Sequence, residues 1–549
     1  MEPSDRAAVA TPASRFLERY QEYFPFVLLC VAVLAFALLA PMLRYGDAAD
    51  YVFFTESLLY DHDLVYTPGD LARHLTLKPP FFDSPAGLHV RQGRDGRQYL
   101  GAHHSFYYSL AALPFYAVFG YRGFFLFNAL CFCLFALCLY LHLKRWNGAV
   151  SAWSWLLLAL VFSASWSYIV WIHSEVFYMA LLGFFMFFWA RRRFLPAAAA
   201  LGYVATAQPI LALLAIPFFV LAWQETRKVS LLLAMASLIG VIAAPQLLFN
   251  LWAFGTLHPL LGIDVVGTQH LSWGSFVRSW IDPAAGILWF YPAVIAAAVE
   301  APKDRRLAWM SLASAGVILA SGVSQVWYSH QVGLRYGSYV FPLFLFLVGK
   351  VSFARWRAVA VWSFVVLVGT GLAVDPIGNS VTMDISPKLF LPYRVARHLR
   401  WYPEDGAVRW NRMQKLSGVV AADWVYGDAW LPGDHDVKLL LTVAHTGSLE
   451  LRMGSWAHEM GRPQTVTVRT DSGRLQSFAL PPGQATEVVV PLAAEDLWPA
   501  GPDTGWCLLE VHSEAWTPQL VMPGSSDSRR LGASLLKIWQ RGLVLYERP

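Results

Sequence analysis

Long apolar runs, some joined by short basic loops and others by longer polar segments, fill the first 375 residues, and from about residue 417 short segments alternate apolar and polar side chains. The first run, FPFVLLCVAVLAFALLAPML at 24–43, carries no charge and is long enough to cross a hydrocarbon core of about 30 Å as a helix. Further helices are expected at 105–120, 123–143, 152–171, 176–190, 195–208, 210–223, 229–253, 286–301, 307–323, 338–354 and 358–375. The run at 105–120 is short, aromatic and interrupted by Pro114, which suits an interfacial or re-entrant helix. Without it the bundle has about eleven spans.

Lys144, Arg145, Arg191, Arg192, Arg193, Arg227, Lys228, Lys303, Arg305, Arg306, Lys350, Arg355 and Arg357 fall on one side of that alternation. The positive-inside rule makes that side cytoplasmic. The polar stretch 1–23 is then cytoplasmic, 24–375 forms the transmembrane domain, and the loop 44–104 lies outside. An odd number of spans also puts the C-terminus outside. Residues 376–416 read as a linker rich in Pro and Arg. The segments DVKLLLTVAH, LELRMGS, QTVTVRT, TEVVVPL and CLLEVHS have period two and are separated by Gly, Pro and Asp turns. The expected fold is therefore a mainly α transmembrane bundle followed, over 417–549, by an external all-β sandwich of jelly-roll type.

Composition narrows the class. The chain is 56% hydrophobic and 14% charged, against about 25% charged in an average soluble protein. Its net charge of +5 is scattered between spans, so no nucleic-acid partner is implied. Cys30, Cys131, Cys133 and Cys138 lie in apolar runs and Cys507 stands alone, so no disulfide framework is expected. The first run exceeds a usual signal core and reads as a retained helix.

Polar residues concentrate in four external segments: 44–104, the turn His173-Ser174-Glu175, 254–285 with His258, and 324–337 with His330 and Arg335. All would lie on one face and could converge on one cavity. Asp47 and Asp50 are three apart and share a face if a helix starts there. Asp47 reads as a general base or as the N-cap of AADYVFFTESLLY, and one residue can be both. Asp50 is the second candidate acid, or a solvated first-turn acid. His103 and His104 diverge by about 100° in a helix and would not chelate together. Each could contact a phosphate, join Asp47 at a metal, or be an ordinary interfacial histidine. Asp61-His62-Asp63 and Asp434-His435-Asp436 match a D-x-D pattern too short to carry weight and read as solvated loops. Arg335 offers a planar fork suited to phosphate at headgroup depth, or snorkels within an aromatic belt. Lys78 is a weaker version of the same argument. No glycine-rich phosphate loop, zinc signature or G-x-S-x-G occurs.

The stretch RYGDAADYVFFTESLLYDHDL resembles the first external loop of bacterial GT-C-fold membrane glycosyltransferases, the protein-mannosyltransferase-like and aminoarabinose-transferase-like enzymes. GRDGRQYLGAHHSFYYSLAALPFYAVFG, FGTLHPLLG, DPAAGILWFYP and WYSHQVGLRYGSYVFPLFLFL are similar to later segments of that class, in the same order. The C-terminal PGSSDSRRLGASLLKI resembles the end of β-sandwich domains attached to some such enzymes. The resemblance implies an enzyme of a bacterial inner membrane that transfers sugar from a polyprenyl-phosphate donor to an extracytoplasmic glycan, lipid or protein, with inversion. It puts Asp47 at the catalytic acid and Arg335, with Tyr336 and Lys78, at the donor phosphate. Tyr51, Tyr99, His103, His104, His258 and His330 are further candidate site residues. It implies no definite cofactor, with a divalent cation the open alternative. The chain departs from the class in having Asp47-Ala48 where many relatives have two acids, Ser-His-Gln where they have Gly-Gly, and Leu334 where they have Pro. The competing readings are a lipid-linked-sugar flippase, which needs polar residues such as Asn128, Gln208, Gln246 and Asn250 along a path, and a non-catalytic glycan-binding membrane protein.

Overall fold

In the computed structural model, residues 12–40, 48–67, 70, 73–74, 90–100, 104–161, 163–207, 209–257, 280–281, 287–300, 311–316, 337–351, 356–369, 419–422, 430–432, 436–443, 447–455, 462–470, 472–499, 505–515, 531–540 and 543–547 are described. The N-terminal part is helical and the C-terminal part is built of strands. Helix α1 (Pro12–Leu39) starts well before the apolar run. Pro12 fits a first helical position, where its missing N–H costs nothing, and ASRFLERYQEY supplies good helix formers. Phe24, Val27, Leu28 and Val31 of α1 are exposed, an apolar face that suits lipid rather than water.

Helix α2 (Ala48–Tyr60) falls within the segment 44–104. The hairpin β1 (Val90–Gln92) and β2 (Gln98–Leu100) follows, then α3 (Tyr107–Phe119) and α4 (Arg122–Leu143). The turn between α3 and α4 is tight because Gly123 lies against the Phe115 backbone, where a Cβ would collide. The expected single span at 152–171 is broken: α5 (Ala149–Leu160) and a 3-10 helix (Ala164–Val170) meet at 66°. Ser163 and Ser165 donate to the Leu160 carbonyl and Ser167 to that of Ala164. Such side-chain bonds compete with the helical ladder and end it.

Next come α6 (Glu175–Trp189), α7 (Phe194–Ala207), α8 (Ala215–Thr226) and α9 (Val229–Phe254). Short helices α10 (Ile287–Phe290), α11 (Ala293–Val299) and α12 (Gly337–Leu345) precede α13 (Arg357–Gly369). Helix α4 packs against α1, α3 and α6, and α7 against α6 and α9. Gly183 of α6 receives the Phe135 ring of α4 where a Cβ would stand, the close approach that small residues permit between membrane helices. Three described helices are long and apolar enough to cross a membrane: Glu22–Leu39, Arg122–Leu143 and Val229–Phe254, or four with the bent pair taken as one span. Shorter apolar helices occupy the expected spans at 176–190, 195–208, 210–223 and 358–375. The expected span at 307–323 and the linker 376–416 lie mostly or wholly outside the described residues.

The strand-rich part forms two antiparallel sheets. One has the order β3 (Val419–Ala422), β5 (Asp436–Val443), β11 (Gly505–Ser513), β7 (Gln464–Thr470), β8 (Leu475–Leu480), with β10 (Trp498–Pro499) paired to β11. The other has the order β13 (Leu543–Glu547), β12 (Leu531–Gln540), β6 (Gly447–Gly454), β9 (Ala485–Leu492), with β4 (Trp430–Pro432) on β12. Alternate residues point inward, so Val466, Val468, Leu509 and Val511 from one sheet share a core with Leu449, Leu451, Val488 and Val490 from the other. Each such side chain contributes about 1.5–3 kcal/mol by leaving water.

Candidate active site

The N-terminal turn of α2 is the centre of a buried polar cluster. Asp50 is only 1% exposed, and its carboxylate stands 3.7 Å from Nε2 of His104. A first-turn acid is favoured there by the helix dipole. Tyr51, also buried, shares a hydrogen bond of 2.8 Å with the Ser174 hydroxyl. Its ring centroid lies 4.9 Å from that of His104 and 5.9 Å from that of His173. Glu175, fully buried in the first turn of α6, holds a carboxylate oxygen 3.8 Å from Nδ1 of His173. Two acid–imidazole pairs from separate parts of the chain thus flank one phenol.

Neighbouring helices fix this arrangement. Ser109 of α3 donates to the Tyr51 carbonyl at 2.9 Å. Asn128 of α4 accepts from Tyr108 and donates to the carbonyls of Trp171 (2.7 Å) and Ile169, tying α4 to the segment that leads into His173. Charges placed this deep cost several kcal/mol each unless paired and hydrogen-bonded. Acids clustered with imidazoles in such a place can take a proton from a bound hydroxyl or stabilise positive charge.

A second cluster sits on the same helix. Glu56 accepts at Oε1 from Tyr116 (2.7 Å) and Tyr121 (2.9 Å), and its Oε2 lies 2.7 Å from Nδ1 of His74. Burial pushes the Glu56 carboxyl up, but the hydrogen bond and charge of His74 and the two phenols outweigh it and leave its pKa below the ordinary value. Arg73 bridges Asp61 (3.0 Å) and Asp70 (2.6 Å), and Asp63 accepts from Ser57. The first D-x-D motif is the exposed turn expected, lying just beyond the C-terminal end of α2, with its two acids also bonded to Arg73 and Ser57.

Of the residues singled out in the sequence, Asp50, Tyr51 and His104 are brought together. Tyr99 serves elsewhere: its hydroxyl donates to Asp95 at 2.6 Å, and its ring packs among Phe249, Trp252 and Phe254 of α9. That packing docks the hairpin on α9, and burial and the Asp95 carboxylate push the Tyr99 phenol up to about 12. Asp47, which immediately precedes α2 in the chain, lies outside the described residues, as do Lys78, His103, His258, His330, Arg335 and Tyr336. Among the described residues no group of three His, Cys, Asp or Glu could hold a metal ion. Glu56 and His74 carried no signal beyond a lone acid in the apolar stretch FFTESLL.

No family profile matches the sequence, and no curated protein matches it. Solved structures do. The chain is similar to ArnT. ArnT from Cupriavidus metallidurans bound to undecaprenyl phosphate is 17% identical, with 69% of this chain and 72% of ArnT covered at a TM-score of 0.43. ArnT in the apo state gives 17% identity, coverages of 71% and 70%, and a TM-score of 0.42. ArnT is a GT-C aminoarabinose transferase, one of the classes that the sequence motifs resemble.

Proposed function

We propose that this protein is an inverting membrane glycosyltransferase that moves a sugar from a polyprenyl-phosphate donor to a glycan, lipid or protein acceptor outside the cytoplasm. The observation that carries this reading is the convergence of Asp50–His104 and Glu175–His173 on Tyr51, at the helix that Asp47 precedes. The acceptor hydroxyl attacks the anomeric carbon while the bond from that carbon to the phosphate oxygen breaks. The hydroxyl proton passes to a carboxylate, a role we assign to Asp47, and the bonding electrons leave with the lipid phosphate. Asp50 and Glu175 offer the negative field that an oxocarbenium-like transition state requires. Arg335, Tyr336 and Lys78 are assigned to the departing phosphate, for which a guanidinium fork and an ammonium are suited. Undecaprenyl phosphate, bound in the ArnT structure, is a leaving group of the class meant here.

The same reading sets the N-terminus in the cytoplasm and the strand-rich part, as a jelly-roll-like sandwich, on the external face of the inner membrane. A flippase would need a polar path, yet Asn128, Gln246 and Asn250 are buried and spend their side chains on protein hydrogen bonds. Gln208 lies outside the described residues.

The test is to incubate purified wild type and Asp47→Asn with a panel of polyprenyl-phosphate sugars and measure release of polyprenyl phosphate. Wild type should release it from one donor, and the variant should bind that donor but turn it over at least roughly 100-fold more slowly. Failure of both proteins to bind any such donor would sink the reading.

A further inference from the structure

Helix α2 is held at two points on different faces. Near its start, Tyr51 bonds Ser174 through its hydroxyl and Ser109 through its carbonyl. Near its end, Glu56 collects His74, Tyr116 and Tyr121. The two anchors are five positions apart, which is about 140° of rotation and about 7.5 Å along a helix axis. Between them Val52, Phe53 and Phe54 are buried. Apolar burial is non-directional, and a helix that turned or slid would recover much of it. Directional bonds at both ends remove that freedom.

Stability alone does not account for the second anchor. A well-packed aliphatic side chain at a buried charge site is often neutral or stabilising. Three donors from three parts of the chain nevertheless converge on the Glu56 carboxylate: His74 beyond the end of α2, Tyr116 in α3, and Tyr121 in the turn to α4. Phe53 packs on the His74 ring at 4.4 Å and completes the seat.

We propose that Glu56 is a positioning residue that sets the rotation and axial position of α2, and through it the placement of Asp50 and Tyr51. The kinetic part of this inference rests on the glycosyltransferase reading; the structural part does not. Glu56→Asp keeps the charge but withdraws it by about 1.5 Å. Misplacement on that scale can cost roughly 100-fold in turnover. Glu56→Gln keeps an oxygen that can accept from both phenols.

The experiment compares kcat, KM and thermal midpoint for wild type, Glu56→Asp, Glu56→Gln and Tyr116→Phe. Glu56→Asp should lose on the order of 100-fold in kcat with KM within about twofold, and Glu56→Gln should stay within about threefold of wild type. Wild-type kcat in Glu56→Asp, or parallel loss of kcat and thermal midpoint in every variant, overturns the proposal. If one variant does not fold, the remaining ones carry the comparison. If wild type turns over no lipid-linked sugar, hydrogen exchange of Glu56→Asp decides. The proposal expects protection to fall across residues 48–53, beyond the substituted side chain, at unchanged thermal midpoint. Loss confined to 55–60 contradicts it.

Discussion

At the residue scale, His62 holds left-handed backbone, with φ of 58°, just beyond the end of α2. Glycine favours that position, and an L-residue there costs about 1–2 kcal/mol. His62→Gly should therefore raise the thermal midpoint in detergent; a fall would mean that the ring's contact with the Leu58 carbonyl outweighs the backbone. Glu56 gives a pH prediction. A folded pKa held below the ordinary value of about 4.3 contributes stability that is complete above that value and fades as pH falls through the folded pKa. Acidification from about pH 4.3 downward should lower the thermal midpoint more steeply in wild type than in Glu56→Gln; equal slopes would refute the assignment. Asp50 stood out in the sequence as an acid three positions after Asp47 but read as readily as a solvated first-turn acid, whereas it is 1% exposed; Tyr51 was singled out through the family resemblance. Glu56 was not, because its partners are 18, 60 and 65 residues away.

Among the helices, the limit of legibility is where side chains compete with the backbone. The charge-bounded run at 123–143 matches α4 almost residue for residue. The run at 152–171 does not, because hydropathy counts Ser163, Ser165 and Ser167 as small residues in an apolar context while their hydroxyls bond local carbonyls. The start of α1 was missed for the opposite reason: its first turns are polar, yet made of helix formers. In the strand-rich part, period-two alternation located β5, β6, β7, β9 and β11, but pairing order depends on contacts between distant strands. The contact between α3 and α4 is testable. A methyl group at Gly123 meets backbone that cannot yield, so Gly123→Ala should cost about 1–3 kcal/mol, read as a lower thermal midpoint. An unchanged midpoint would mean that the two helices are not so closely apposed.

At the scale of the whole molecule, orientation and site must agree. Arg97, 69% exposed on the hairpin turn, and exposed Lys228 between α8 and α9 are assigned to opposite sides. In intact spheroplasts, Arg97→Cys should react with a membrane-impermeant maleimide and Lys228→Cys only after lysis; the reverse pattern would invert the topology. With that orientation, the buried carboxylates of Asp50 and Glu175 stand on the side where a lipid-linked donor would meet an external acceptor. Glu175, supplied by a turn more than a hundred residues from α2, is the sharpest test of convergence, and the measurement to make is polyprenyl-phosphate release by Glu175→Gln beside wild type. The account predicts a loss of roughly 100-fold or more with the fold intact. A rate within about twofold of wild type would contradict it, since that is the scale expected of a residue outside the reaction.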